Sequence, residues 1–441
     1  MKTAKYISVG VMVVLITASL QAKEMQSIKL SVEVDKPVLL ADTKQPIYLR
    51  VGLTGCPGEG LTRHVPVNVA IVIDKSGSMS SDGKMKKAKE AAMLAVERLS
   101  RDDILSIVAY NHNVQVLLPA TKLTDKQAVR EEIRRLQADG STALYAGVQK
   151  GADEVRKFLV RQRVNRIVLI SDGLANVGPS SPDELGRLGS RLAKEGVSVT
   201  TVGLGLGYNE DLMSKLAFCS DGGHYFAEKS CDLTEIFDKE FSRTLSVVAQ
   251  DVRIEITCPD DIRPVRILGR DGKIDGQKIL LSLNHIYSNH EKYAVIELEA
   301  ASRKNSNNMK DVAEVIVCYN NLLTRSDGRT SAVAAAKTSS SETTVKSGIN
   351  KRVMADVVEL LAVERNEMAM NLRDQGRIEE ARQKLDENAL YLQTAAKDYG
   401  CQKLDSYAAQ NADQAEQLDD KEWNQNRKGM VEGQTMRKSQ R

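Results

Sequence analysis

The sequence predicts an α/β domain with a doubly wound, mainly parallel sheet, inserted in a β-sandwich and followed by an α-helical hairpin. Three observations lead there. Between residues 66 and 246, short apolar runs alternate with amphipathic helical patterns, the signature of βα units around a parallel sheet. On both sides of that stretch the pattern reverts to strand-like alternation. Beyond residue 350, two long stretches of helical periodicity are separated by Asp374-Gln375-Gly376.

Ile28, Leu30, Val32 and Val34, then Ile47, Leu49 and Val51, alternate as strands around a turn at Ala41-Asp42. Val67–Ile73 is a continuous apolar run of the kind buried on both faces of a parallel sheet. Met85–Leu99 carries Ala88, Ala91, Ala92, Leu94, Ala95 and Leu99 on one helical face. Ile104–Ala109 and Val114–Leu118 read as a hairpin pair. Leu144–Leu159 is a helix, Arg166–Ile170 a third buried strand, and Pro182–Glu195 a helix stopped by Gly196. Val197–Leu204, Glu210–Ala217, His224–Ala227 and Asp232–Leu245 complete the alternation as strand, helix, strand and helix. Strands return at Val252–Thr257, Ile279–Leu283, Tyr293–Leu298 and Val312–Cys318.

The expected organisation is a leader over residues 1–22, a first part of the sandwich over 23–65 and the α/β domain over 66–246. A second part of the sandwich follows over 247–325, then a linker over 326–349, the helical hairpin over 350–400 and a disordered polar tail over 401–441. Two independent small β units are the alternative to one sandwich, but residues 23–65 alone make a marginal core. The hairpin weakly resembles part of a tetratricopeptide repeat at Gly376–Ala381. A stable array needs about three repeats, so a docking or dimerising helix pair is the plainer reading.

Lys2 and Lys5 precede an apolar run from Tyr6 to Leu20 that ends at Gln21-Ala22, as in a cleavable secretory signal. The competing reading is a membrane anchor, but the run is short of the roughly 20 residues that span a bilayer. A periplasmic or secreted location follows from the cleaved reading. The formal net charge of +3 gives no electrostatic case for nucleic acid or a membrane surface. Aromatic residues make up only 4% of the chain, so its cores must be aliphatic. In an exported chain, Cys56, Cys219, Cys231, Cys258, Cys318 and Cys401 are expected to form disulfides. Cys219–Cys231 and Cys258–Cys318 are candidate pairs, with buried thiols as the alternative. No cysteine–histidine cluster suggests zinc.

Chemistry concentrates at three strand ends. Asp74-Lys75-Ser76-Gly77-Ser78 follows the first buried strand, Gly140-Ser141-Thr142 opens a helix, and Ser171-Asp172-Gly173 follows another strand. Ligands of open parallel sheets gather at the carboxyl ends of strands. Hydroxyl and carboxylate oxygens are what a hard divalent cation takes. Alone, each segment reads as a turn or a helix cap; together they make a metal site of Asp74, Ser76, Ser78, Thr142 and Asp172.

On those residues the segment resembles a von Willebrand factor type A (VWA) domain of the bacterial exported type, whose metal-ion-dependent adhesion site reads Asp-x-Ser-x-Ser, Thr, Asp. The resemblance implies direct ligation by Ser76 and Ser78. It implies direct or water-mediated ligation by Thr142 and Asp172, with Asp74 acting through water and hydrogen bonds. It further implies Mg²⁺, with Mn²⁺ or Ca²⁺ as alternatives, and a protein ligand whose Asp or Glu carboxylate completes the shell. The expectation is therefore a binding protein and not an enzyme. A structural or assembly role with a merely structural metal is the first alternative and a metal-assisted hydrolase the second. Ser76 lacks the Gly-x-Ser-x-Gly elbow of a hydrolase nucleophile, and no general base stands at a motif position. Gly203–Gly207 lacks the spacing of a nucleotide loop and is expected to turn tightly at the metal edge, with Asn209 capping the next helix. His112 and His224 are expected in a surface loop and a strand. Lys75, Lys84, Lys86, Lys87 and Lys89 form either an electropositive rim or a solvated helix face.

Overall fold

The computed structural model describes residues 26–57, 65–229 and 232–440. The expected leader and Cys231 lie outside them. Strands β1 (Ile28–Val34), β2 (Val38–Leu40) and β3 (Gln45–Gly55) open the chain. The α/β unit follows as β4 (Val67–Asp74), α1 (Lys84–Arg98), β5 (Ile104–Tyr110), β6 (Val114–Lys122), α2 (Lys126–Arg134) and α3 (Leu144–Arg156). It continues through β7 (Val164–Ser171), α4 (Pro182–Lys194), β8 (Val197–Leu204), α5 (Glu210–Cys219), β9 (His224–Ala227) and α6 (Asp232–Leu245).

Its sheet runs β6-β5-β4-β7-β8-β9, parallel except at the β5–β6 hairpin. Every residue of β4, β5, β7 and β8 is buried, which explains why these strands are mostly apolar. Val69, Ile71 and Ile73 face α1, α2 and α6, whereas Ala70 and Val72 face the layer of α3, α4 and α5. From β4 the chain crosses to β5 on one side and later to β7 on the other. That reversal opens a crevice at the carboxyl end of β4, where such sheets bind ligands.

The remaining strands are β10 (Val247–Thr257), β11 (Ile262–Leu268), β12 (Lys273–Asp275), β13 (Lys278–Tyr287), β14 (Glu291–Ala300), β15 (Ser306–Asn321) and β16 (Ser326–Ser339). They combine with β1–β3 into two sheets, β1-β3-β14-β11 and β12-β13-β10-β15-β16-β2. Because β3 pairs with β14 and β2 with β16, the segments flanking the α/β unit share one sandwich core. Two independent β units are thereby excluded.

Three expectations need correction. Residues 326–349 are not a linker: β16 pairs along most of β15, and α7 (Glu342–Ser347) follows. Its inward positions are Ala334, Ala336 and Thr338, too small and polar to announce a strand by hydropathy. Nor is the region after 400 an unstructured tail. The hairpin of α8 (Lys351–Asp374) and α9 (Ile378–Tyr399) is joined by α10 (Gln402–Glu416) and α11 (Asp420–Ser439). Helix α10 buries Leu404, Tyr407, Ala408, Asn411 and Ala415 at helical spacing. Its Asn411 counts as polar in sequence, yet it accepts a hydrogen bond from Asn388 at 3.1 Å inside the helical layer.

The third concerns disulfides. Cys56, Cys219, Cys258, Cys318 and Cys401 are all free thiols. Cys318 stands opposite Arg253 and is exposed, whereas Cys258 lies beyond the end of β10 and is buried. At about 3.3 Å per residue that offset is roughly 16 Å, against the ~7 Å limit for a disulfide. Among the described residues, no helix is long and apolar enough to cross a membrane.

Candidate metal site at the strand ends

Asp74 ends β4 with its side chain fully buried. Its Oδ1 accepts the Ser76 amide at 2.8 Å and its Oδ2 accepts the Ser171 hydroxyl at 2.6 Å. The Tyr110 hydroxyl lies 3.4 Å from the same Oδ2. The carboxylate thus ties together the ends of β4, β5 and β7 and bends Asp74–Ser76 into an Asx-type turn. Burial holds its carboxyl above the ordinary carboxylate range, with the Ser171 and Ser76 hydrogen bonds pulling the other way.

That turn places Ser76 Oγ 3.1 Å from Ser78 Oγ, and Ser78 donates to Asp172 Oδ1 at 2.7 Å. Thr142 arrives from the segment before α3. Its amide donates to Asn176 Oδ1 at 2.8 Å, and its carbonyl accepts the Asn176 and Val177 amides. Gly173 lets these loops meet: a Cβ there would lie 3.0 Å from Thr142 Oγ1 and 3.6 Å from Ser78 Oγ. All five predicted residues therefore converge on one place. Asp74, Ser76, Thr142 and Asp172 are buried, and Ser78 opens to solvent.

Sequence reasoning missed Leu174, Val177 and Leu206 and named Lys84 only as part of a rim or a solvated face. Lys84, the first residue of α1, donates through Nζ to Asp172 Oδ2 at 2.8 Å. Of the lysines considered for an electropositive rim, it is the one that reaches the site. Lys75 pairs with Asp139, Lys87 with Glu90, and Lys89 donates to the Arg134 carbonyl. Leu174, Val177 and Leu206 are exposed at 58%, 37% and 46% on the loops around the site. Their signal was in the sequence, as large aliphatic residues inside short loops. The Gly205–Asn209 loop does border the site, since a Cβ on Gly207 would lie 3.0 Å from the Asp172 carbonyl oxygen. Tyr208 folds back against Gly203, where even a methyl group would strike its ring at 2.2 Å. Asn209 caps α5 by accepting the Leu212 amide at 3.0 Å. His224 is fully buried beside Thr201 and Tyr208, and burial pushes its pKa down to about 3.

Among the described residues, no group of three or more His, Cys, Asp or Glu is placed to hold a metal ion. The strand-end site offers instead two carboxylates and three hydroxyls, an all-oxygen set suited to a hard cation.

Residues 68–239 match the family model of the von Willebrand factor type A domain. Those residues have the VWA fold. The chain is 30% identical over 190 residues to the uncharacterized protein YfbK of Escherichia coli strain K12, covering 43% of this chain and 33% of YfbK. It is 31% identical to the uncharacterized protein sll0103 of Synechocystis, covering 42% of this chain and 43% of that protein. The matched stretch thus spans less than half the length of either relative. Among solved structures, the von Willebrand factor type A protein from Catenulispora acidiphila superposes with a TM-score of 0.69 at 18% identity, over 90% of each chain. The ArnB paralog VWA2 from Sulfolobus acidocaldarius gives 0.64 at 17%, over 93% of this chain and 98% of that one. These likenesses show that the VWA fold here comes with additional β-sheets and C-terminal helices.

Proposed function

We propose that this VWA domain binds a divalent cation, Mg²⁺ foremost, and through it a protein partner outside the cytoplasm. Ser76, Ser78, Thr142 and Asp172 would hold the ion, with Asp74 fixing the loop that carries the serines. The cation would supply a Lewis-acidic centre to which an Asp or Glu carboxylate of the partner could bind. The reading rests on one observation: five oxygen-bearing residues from three loops meet at the sheet's switch point, with Ser78 facing solvent.

Leu174, Val177 and Leu206 favour a macromolecular partner. Exposed apolar side chains grouped around a polar site mark interaction surfaces, and a free ion has no use for them. The named residues all serve to hold the ion, so the reading is one of binding and not catalysis. The leader-like pattern of residues 1–22 is what supports a periplasmic or extracellular setting.

The test has two parts. Calorimetric titration of the full chain with Mg²⁺ should give saturable binding that Asp172→Ala weakens by at least tenfold to a hundredfold, the loss typical even of outer-shell changes. Partner capture should need Mg²⁺, fail in EDTA and fall with Leu206→Ser. Equal Mg²⁺ binding by the wild type and Asp172→Ala would refute the site.

A further inference from the structure

The Gly205–Asn209 loop is gripped from outside the VWA domain. Asn424 of α11 donates to the Leu206 carbonyl at 3.3 Å, and Lys428 donates to the Tyr208 carbonyl at 2.8 Å. The Lys428 ammonium also lies 4.4 Å from the centre of the Tyr208 ring and pairs with Glu210. Arg427 reaches Glu210 at 2.6 Å and Asp211 at 2.8 Å on the first turn of α5. The same guanidinium binds Asp374 at the end of α8, 2.9 Å away. One side chain therefore joins the VWA domain to the helical layer. Trp423 completes the junction by donating to Asp374 at 3.0 Å, with Arg373 against its ring.

Helix α11 is poorly built to stand alone. Asp419 at its start makes no side-chain capping bond, and Gly429 and Gly433 occupy its interior. Each interior glycine lowers helix propensity relative to alanine. Its apolar anchors are Met430 and Val431 against the helical layer and Met436 against the VWA core. Much of the rest of its hold is charge: Arg427 pairs with the partly exposed Asp211 and Asp374, contacts that weaken as salt rises, whereas Lys428 pairs with Glu210 in a buried junction that salt screens less. A helix of marginal propensity, docked by ion pairs onto the rim of a binding site, has the properties of a detachable element.

We propose that α11 is a releasable strap: docked, it orders the Gly205–Asn209 rim of the metal site, and released, it frees that rim and lowers the site's affinity. The affinity part rests on the function proposed above. The rim touches the site through Gly207, beside the Asp172 carbonyl, and through Gly205, where a Cβ would lie 3.4 Å from Lys84 Cε. With the strap off, binding must also order this loop, and that ordering subtracts from affinity. By reciprocity, an occupied site favours the docked strap.

Trp423 is the one tryptophan of the chain, so its emission reports the strap directly. The experiment uses the full chain, the double variant Arg427→Ala/Lys428→Ala, and Asn424→Ala, an exposed change that leaves every ion pair intact. In the double variant, Trp423 emission should shift to the red and amide exchange over residues 204–212 should quicken by about tenfold or more. Mg²⁺ binding should weaken several-fold, while exchange in β4 and β7 stays slow and shows the domain folded. Asn424→Ala should quicken exchange at Leu206 and its neighbours alone. A red-shifted Trp423 with unchanged rim exchange would overturn the strap, as would emission that does not move in the double variant. Wild-type protein that binds no Mg²⁺ would defeat the proposed function, and rim exchange would still decide the structural coupling. Equal Mg²⁺ affinity in wild type and released variant would defeat the effect on affinity alone.

Discussion

Lys84 and Asp172 form an ion pair inside the candidate metal site, Nζ to Oδ2 at 2.8 Å, with the lysine side chain 14% exposed and the aspartate fully buried. Asp172 thus divides its two oxygens between an ammonium and the Ser78 hydroxyl. A divalent cation held by Asp172 would share that carboxylate with a positive charge a few ångströms away. At an effective dielectric near 20 and a separation of about 4 Å such repulsion is on the order of 8 kcal/mol before the lysine relaxes. Lys84→Met keeps the aliphatic stem and removes the charge. It should tighten Mg²⁺ by roughly tenfold, about 1.4 kcal/mol, in calorimetric titration at low salt. Unchanged or weaker binding would show that Lys84 does not compete with the ion.

Lys84 also shows where sequence reading stops. The central sheet was legible because strands buried on both faces must be mostly apolar, as Val67–Ile73 is apart from Asn68. The site was legible because its residues lie within short contiguous motifs at the ends of such strands. Lys84 belongs to no motif and reaches Asp172 only because α1 begins beside the site. Strand β11 was hidden because Arg263 and Arg266 take outward positions and Pro264 an inward one, which breaks the apolar pattern. Helix α10 was hidden because its inward face includes Asn411, satisfied by Asn388 of α9 and by the Tyr407 carbonyl of its own helix, partners that composition cannot reveal. The cysteine pairing failed for a related reason: Cys258 lies just past the end of β10 and Cys318 on its neighbour β15, but register sets their distance.

The free thiols should separate by accessibility. Cys318 is exposed on β15, while Cys258 is buried and its thiol is pushed up to about 11 by desolvation. Since the thiolate is the reactive form, native protein treated with a maleimide at neutral pH should label Cys318 within minutes. Cys258 should label only in denaturant. Peptide mapping without reductant should yield no fragment joining the two, and recovery of such a fragment would contradict the strand register.

Glu432 should make docking of α11 depend on pH. Its carboxyl packs against β9 and accepts the Phe226 amide, with Lys239 of α6 and the Tyr208 ring nearby. Burial is the largest influence and pushes its pKa up to about 7 from an ordinary 4.5, the amide and Lys239 offsetting only part of that. The sign follows from which state binds the proton more tightly. Below the ordinary value, docked and released helices are both protonated and docking is unpenalised. As pH rises toward 7 the released carboxyl ionises first, and docking loses up to about 1.4 kcal/mol per pH unit. Above the docked pKa the loss levels off, at roughly 2–3 kcal/mol after allowing for partial exposure. Trp423 emission and protease sensitivity of residues 418–440 should therefore report a tighter helix at about pH 5 than at pH 8. Glu432→Gln cannot ionise and should flatten this dependence. A wild-type profile equally flat would mean that the carboxyl is hydrated when docked and carries no such penalty.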